Sequence, residues 1–97
     1  MSLHDDLVAA RKLVANGWTK GMFRRNGCVC AMGAVLWVVD SDDDEGIDRE
    51  DEAIRALEAA LPVCDVSTLV GFNDREATTH ADVLALFDRA IAASVQS

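Results

Sequence analysis

Twelve consecutive residues, Cys28-Val29-Cys30-Ala31-Met32-Gly33-Ala34-Val35-Leu36-Trp37-Val38-Val39, carry no charge and no strong polar group. At a helical rise they span about 18 Å, short of the roughly 30 Å of a bilayer core, so no membrane span is expected. The run reads as one buried helix or as a pair of buried strand-like pieces. Ala31, Met32, Ala34 and Leu36 favour helix, and the length exceeds a usual strand, so a central helix over 28–39 is expected. A helix that is apolar all round must be covered on nearly every side. The rest of the chain reads as that cover, with Cys30, Gly33, Ala34 and Trp37 near the centre.

Ninety-seven residues, half of them apolar, supply one helical domain over 1–97 with enough core to fold without staples. The first residues, Met-Ser-Leu-His-Asp-Asp, are acidic and do not read as a signal peptide. Three cysteines are an odd number, and two sit in the most apolar segment. That suits reduced thiols in a cytoplasmic protein better than a disulfide framework.

The charge is concentrated. Residues 40–52 hold nine acids and one base, Arg49, and so carry the whole net charge of −8. The remainder is neutral. No basic stripe exists to displace counterions from a phosphate backbone, which disfavours nucleic acid as a partner.

Helical spacing organises the flanks. Leu3, Leu7, Ala10 and Val14 repeat along a first helix, with Ser2 as its cap and Asp5 in the capping-box position. Asn16-Gly17 is expected to end it, with Gly17 left-handed and Trp18 folding back as a core lid. Asn26-Gly27 permits a short hairpin from Met22 to Cys30; the preferred reading makes it the turn that launches the central helix. Asp48 is the expected N-cap of a third helix buried through Ala53, Ile54, Leu57 and Leu61, which Pro62 stops. Val66 to Phe72 fits either a short helix or an extended stretch. Thr79 caps the last helix, with Asp82 at N3 and Val83, Leu84, Phe87, Ala90 and Ile91 on its buried face. The expected fold is an all-α, small antiparallel bundle of about four helices, with Trp18, Leu57 and Phe87 in its core.

Gly17-Trp18-Thr19-Lys20-Gly21, Cys28-Val29-Cys30-Ala31-Met32-Gly33-Ala34, Phe72-Asn73-Asp74 and Thr79-His80-Ala81-Asp82-Val83-Leu84 occur in this order over most of the chain. As a set they resemble a family of small proteins from actinobacteria and their phages that carries only a domain-of-unknown-function label. The family pattern has tryptophan where this chain has Phe72, and a longer connector before the cysteines. The resemblance implies no activity. It implies a phage-type or actinobacterial cytoplasmic origin.

Four chemistries deserve weighing. Cys28, in the first turn of the expected central helix, or Cys30 could act with His80 as a cysteine hydrolase, with Asn73 and Asp74 as orienters, provided a sulfur lies within hydrogen-bond reach of the imidazole. Cysteine packed as a small hydrophobe is the plainer expectation. Cys-x-Cys with Cys64, His4 and His80 is half a zinc pattern, and no metal is expected from it. Asp40, Asp42, Asp44, Asp48 and Asp51 almost scan as an EF-hand calcium loop, but Glu45 stands where that loop needs glycine and Asp51 where it needs glutamate. No cofactor is expected. Interaction remains: Asp42, Asp43, Asp44 and Glu45, with the Asn73-Asp74 turn, are the candidate binding residues of a non-enzymatic protein-interaction or regulatory module whose protein partner carries a basic patch.

Overall fold

The computed structural model describes residues 3–22, 24–39, 44–62 and 66–95. Among them are five helices and a two-stranded hairpin: α1 (Leu3–Asn16), β1 (Arg24–Arg25), β2 (Cys28–Val29), α2 (Ala31–Val38), α3 (Asp44–Ala59), α4 (Leu69–Asp74) and α5 (His80–Val95). Ser2, Asp40, Asp42, Asp43 and Cys64, on which expectations rested, lie outside the described residues.

The core follows the helical spacing. α1 buries Leu7, Ala10 and Val14 and packs against α2 and α5. α3 contributes Ala53 and Leu57, α4 Leu69 and Phe72, and α5 Val83, Leu86, Phe87 and Ala90, all in one cluster with Ala31, Ala34 and Val35 of α2. Each fully buried Leu, Val or Phe contributes about 1.5–3 kcal/mol by leaving water. Among the described residues, one charge is buried with them. Asp6 of α1 receives the Arg49 guanidinium of α3 at 2.7 and 3.3 Å, so the ion pair ties those helices together.

Three helix starts are fixed by side chains. Thr68 Oγ1 accepts the Gly71 amide at 3.1 Å, and Glu58 Oε2 of α3 accepts the Leu69 amide at 2.9 Å, which settles 69–74 as helix. Thr79 and Asp82 exchange reciprocal bonds, 3.0 Å from the Thr79 amide and 3.2 Å to Thr79 Oγ1, the capping box expected for the last helix. Cys30 caps α2 by accepting the Gly33 amide on its sulfur at 3.2 Å.

The central apolar run departs from expectation. It is not one helix over 28–39, and the fold is mostly helical but not all-α. Cys28-Val29 form β2, paired with β1 in the register Arg24↔Val29 and Arg25↔Cys28. Asn26 (φ 51°) and Gly27 (φ 84°) make the two-residue turn between them, both left-handed as a type I′ hairpin requires. On its other edge β2 meets the segment leaving α1: Val29 donates to the Gly17 carbonyl at 3.0 Å and receives the Thr19 amide at 3.1 Å. Pairing on both edges satisfies backbone groups that a helix beginning at Cys28 would leave orphaned at its first turn.

Further corrections follow from this layout. Gly17 is not left-handed; it is small because a β-carbon there would lie 2.9 Å from Cys28 Sγ. α3 begins at Asp44, so Asp48 lies inside the helix and is not its cap. Trp37, placed in the core by the sequence reading, is 58% exposed, because α2 is short and directs Ala31, Ala34 and Val35 inward instead.

Candidate functional site

The polar residues of the sequence motifs converge on Asn73. It is fully buried in α4 and uses its whole amide. Its Oδ1 accepts from Trp18 Nε1 at 2.7 Å and from the Ala31 amide at 2.9 Å. Its Nδ2 donates to the Thr19 carbonyl at 3.1 Å and to Asp74 Oδ1 at 3.0 Å. The Ala31 contact supplies α2 with a second N-terminal acceptor beside Cys30. Asp74 in turn accepts the Gly21 amide at 2.9 Å.

Trp18 sits among three polar groups. The His80 imidazole stacks on it, with centroids 5.8 Å apart and planes at 12°. The Lys20 ammonium lies 5.4 Å from its ring centroid and donates to the Arg75 carbonyl at 2.6 Å and the Glu76 carbonyl at 3.3 Å. His80 Nε2 lies 2.6 Å from the Val14 carbonyl. A carbonyl only accepts, so this nitrogen carries a hydrogen. α1, the connector, α4 and α5 are thereby knotted together.

This arrangement does not assemble a nucleophile. Cys28 is in β2 against Gly17, not in the first turn of a helix. Cys30 is buried, and that burial pushes its thiol above the ordinary value of 9.0, against the lowering bonds from the Gly33 and Met32 amides. It is held as the neutral thiol, the poorer nucleophile. Among the described residues neither sulfur hydrogen-bonds to His80, whose Nε2 is occupied. Asn73, expected among the binding residues, is fully buried and its side-chain bonds are internal. Asp74 is exposed and borders a cavity of about 300 Å³ with Gly21, Met22, Cys30 and Val70. Asp44 to Asp51 of the expected calcium loop are helical, not the loop conformation that an EF-hand site takes over most of those positions.

From Asp48 onward the acidic segment presents a helix face. Asp48, Asp51 and Glu52 are exposed along α3 at helical spacing, and Arg55 follows on the same face, 2.9 Å from Asp51. Arg49 turns away, into Asp6.

A second surface went unread in the sequence. The hairpin and the end of α2 flank a groove of about 450 Å³ whose lining includes Leu13, Arg24, Arg25, Val29 and Trp37. The Arg24 guanidinium lies 4.4 Å from the Trp37 ring centroid. The Asn26-Gly27 hairpin signal was its only trace, and it counts for little until β1 is placed beside α2.

Over residues 3–93 the chain matches the model of a family of unknown function, DUF6197, and belongs to that family. No curated protein and no solved structure matches it. No helix among the described residues is long and apolar enough to cross a membrane.

Proposed function

We propose that this DUF6197 member is a non-enzymatic protein-interaction module, cytoplasmic and of phage or actinobacterial origin, that meets a basic patch on a protein partner. The acidic segment carries the contact. The observation behind this reading is the α3 face of Asp48, Asp51 and Glu52, exposed together while Arg49, the segment's one base, is spent on Asp6. Exposed carboxylates at this spacing raise the local negative potential and speed encounter with a cationic surface, while contributing little to folding. The polar knot at Asn73 has a structural role in this reading: it holds the scaffold.

The test is affinity capture from an actinobacterial lysate, with the parent chain and a Asp48→Asn, Asp51→Asn, Glu52→Gln variant as baits. The expected result is a captured protein with a basic patch that the variant loses and that raised salt releases. Capture unchanged by neutralisation would overturn the assignment of the acidic face.

A further inference from the structure

We propose that the groove between the β1-β2 hairpin and α2 is a docking site for a short acidic segment of a partner protein, one that brings an apolar side chain between carboxylates. Trp37 is 58% exposed, the most exposed large apolar side chain among the described residues. It forms an apolar floor with Leu13 and Val29. A second depression, lined also by Gly33 and Leu36, shares Arg24 and Trp37, so the indole borders both hollows.

The charge of the groove is opposite to that of the chain. Among the described residues, its only ionisable lining residues are Arg24 and Arg25, in a protein of net charge −8. Arg11 holds Asp88, Arg49 holds Asp6 and Arg55 holds Asp51. Among the described residues Arg24 and Arg25 hold no carboxylate. A guanidinium stacked on an indole keeps its edge N–H groups free for a carboxylate, and it is held in place before the ligand arrives. The type I′ turn fixes β1, so both arginines project from a rigid element. Tryptophan and arginine are also among the residue types enriched in interface hot spots.

The occupant is chosen by the same facts. Two arginines neutralise too few phosphates to hold a nucleic acid against a net charge of −8. A second copy of the chain would bring a further −8, and part of its acidic face is already answered by Arg55. A short acidic segment adds little charge and matches both the floor and the rim. The site is separate from the α3 face, so it stands or falls independently of the proposed function.

The experiment is a selection of random peptides of about twelve residues on the immobilised full chain at low salt, with the winners measured by fluorescence anisotropy. The expected winners place Asp or Glu on both sides of Trp, Phe or Leu. Their affinity should fall about tenfold or more in Trp37→Ala and in Arg25→Glu, and should be unchanged or higher when Asp48, Asp51 and Glu52 are neutralised. Both substituted positions are exposed, and unchanged thermal unfolding confirms that each variant is folded. Basic winners, no consensus, or affinity indifferent to both variants would overturn the proposal. So would tighter binding of an oligothymidine, or self-association in sedimentation, lost in the same variants.

Discussion

Trp18 donates its indole N–H to Asn73 Oδ1 at 2.7 Å, across 55 positions of sequence. The same oxygen receives the Ala31 amide, so one carboxamide joins the exit of α1, the start of α2 and the end of α4. Replacing it should have effects at all three places. Asn73→Ala strands the Trp18 N–H, the Ala31 N–H and the Thr19 carbonyl, and should cost about 3 kcal/mol or more in urea unfolding. Asn73→Asp keeps the acceptors, loses both donated bonds, and sets a carboxylate against Asp74. Like charge and burial both raise the value at which the new group titrates in the folded state. Stability should therefore be poor at neutral pH and partly regained on acidification. Equal stability of Asn73→Ala and parent would show that the knot is not structural.

Gly17 is tested through its neighbour. Its backbone conformation is ordinary, but a β-carbon would sit 2.9 Å from Cys28 Sγ and 3.4 Å from Cys28 Cα. Gly17→Ala should destabilise by about 1–2 kcal/mol through crowding. In a Cys28→Ala background the sulfur is gone, and the added cost should shrink by about half or more. Gly27→Ala is the contrast. Nothing lies within 4 Å of its β-carbon, yet φ is +84°, so its cost of about 1 kcal/mol should be indifferent to the Cys28 background.

The helices were legible because periodicity reports burial directly. Leu7, Ala10 and Val14, and later Val83, Phe87 and Ala90, lie inward where their spacing puts them. The capping box of Thr79 and Asp82 is local and was readable for the same reason. The middle was not. An apolar run has no period, so nothing in Cys28 to Val39 marks where strand gives way to helix. The break is set by tertiary partners: the Gly17 and Thr19 backbone groups that claim Val29, and the Asn73 oxygen that claims the Ala31 amide. Trp37 was misplaced by the same route. An apolar residue in an apolar helix reads as core, and its exposure appears only when the short α2 is set against its neighbours.

The pH dependence of stability should carry the mark of Cys30. Burial raises its folded-state value above the 9.0 of a free thiol, to which the unfolded chain reverts. Between the two values the unfolded chain binds fewer protons than the folded one, so stability falls as pH rises. The contribution is intact below pH 9 and is lost progressively above it. Cys30→Ser retains an acceptor for the Gly33 amide and removes the titration. Urea unfolding of parent and variant between pH 8 and pH 10.5 should therefore diverge, the parent losing more stability. Parallel curves would show that the thiol ionises alike in both states.

Adjacent threonines before α5 should respond in opposite directions. Thr78 is buried, and its Oγ1 has no hydrogen-bond partner among the described residues. A buried hydroxyl without a partner costs about 1–3 kcal/mol, and its replacement by a methyl group removes that cost with nearly the same shape. Thr78→Val should thus stabilise the protein by about 1 kcal/mol. Thr79 is exposed, but its Oγ1 accepts the Asp82 amide at 3.2 Å while Asp82 returns a bond to the Thr79 amide. Thr79→Ala should destabilise by about 1 kcal/mol, as the loss of an N-cap does. Burial alone would rank the two positions the other way, since substitutions at buried sites ordinarily cost more. Chemical unfolding of the two single variants separates the arguments. A stabilised Thr78→Val beside a destabilised Thr79→Ala, with denaturant slopes unchanged, shows that hydrogen-bond satisfaction governs this corner. A loss of stability in Thr78→Val would mean that its hydroxyl is partnered in solution, by a bound water holding the loop between α4 and α5.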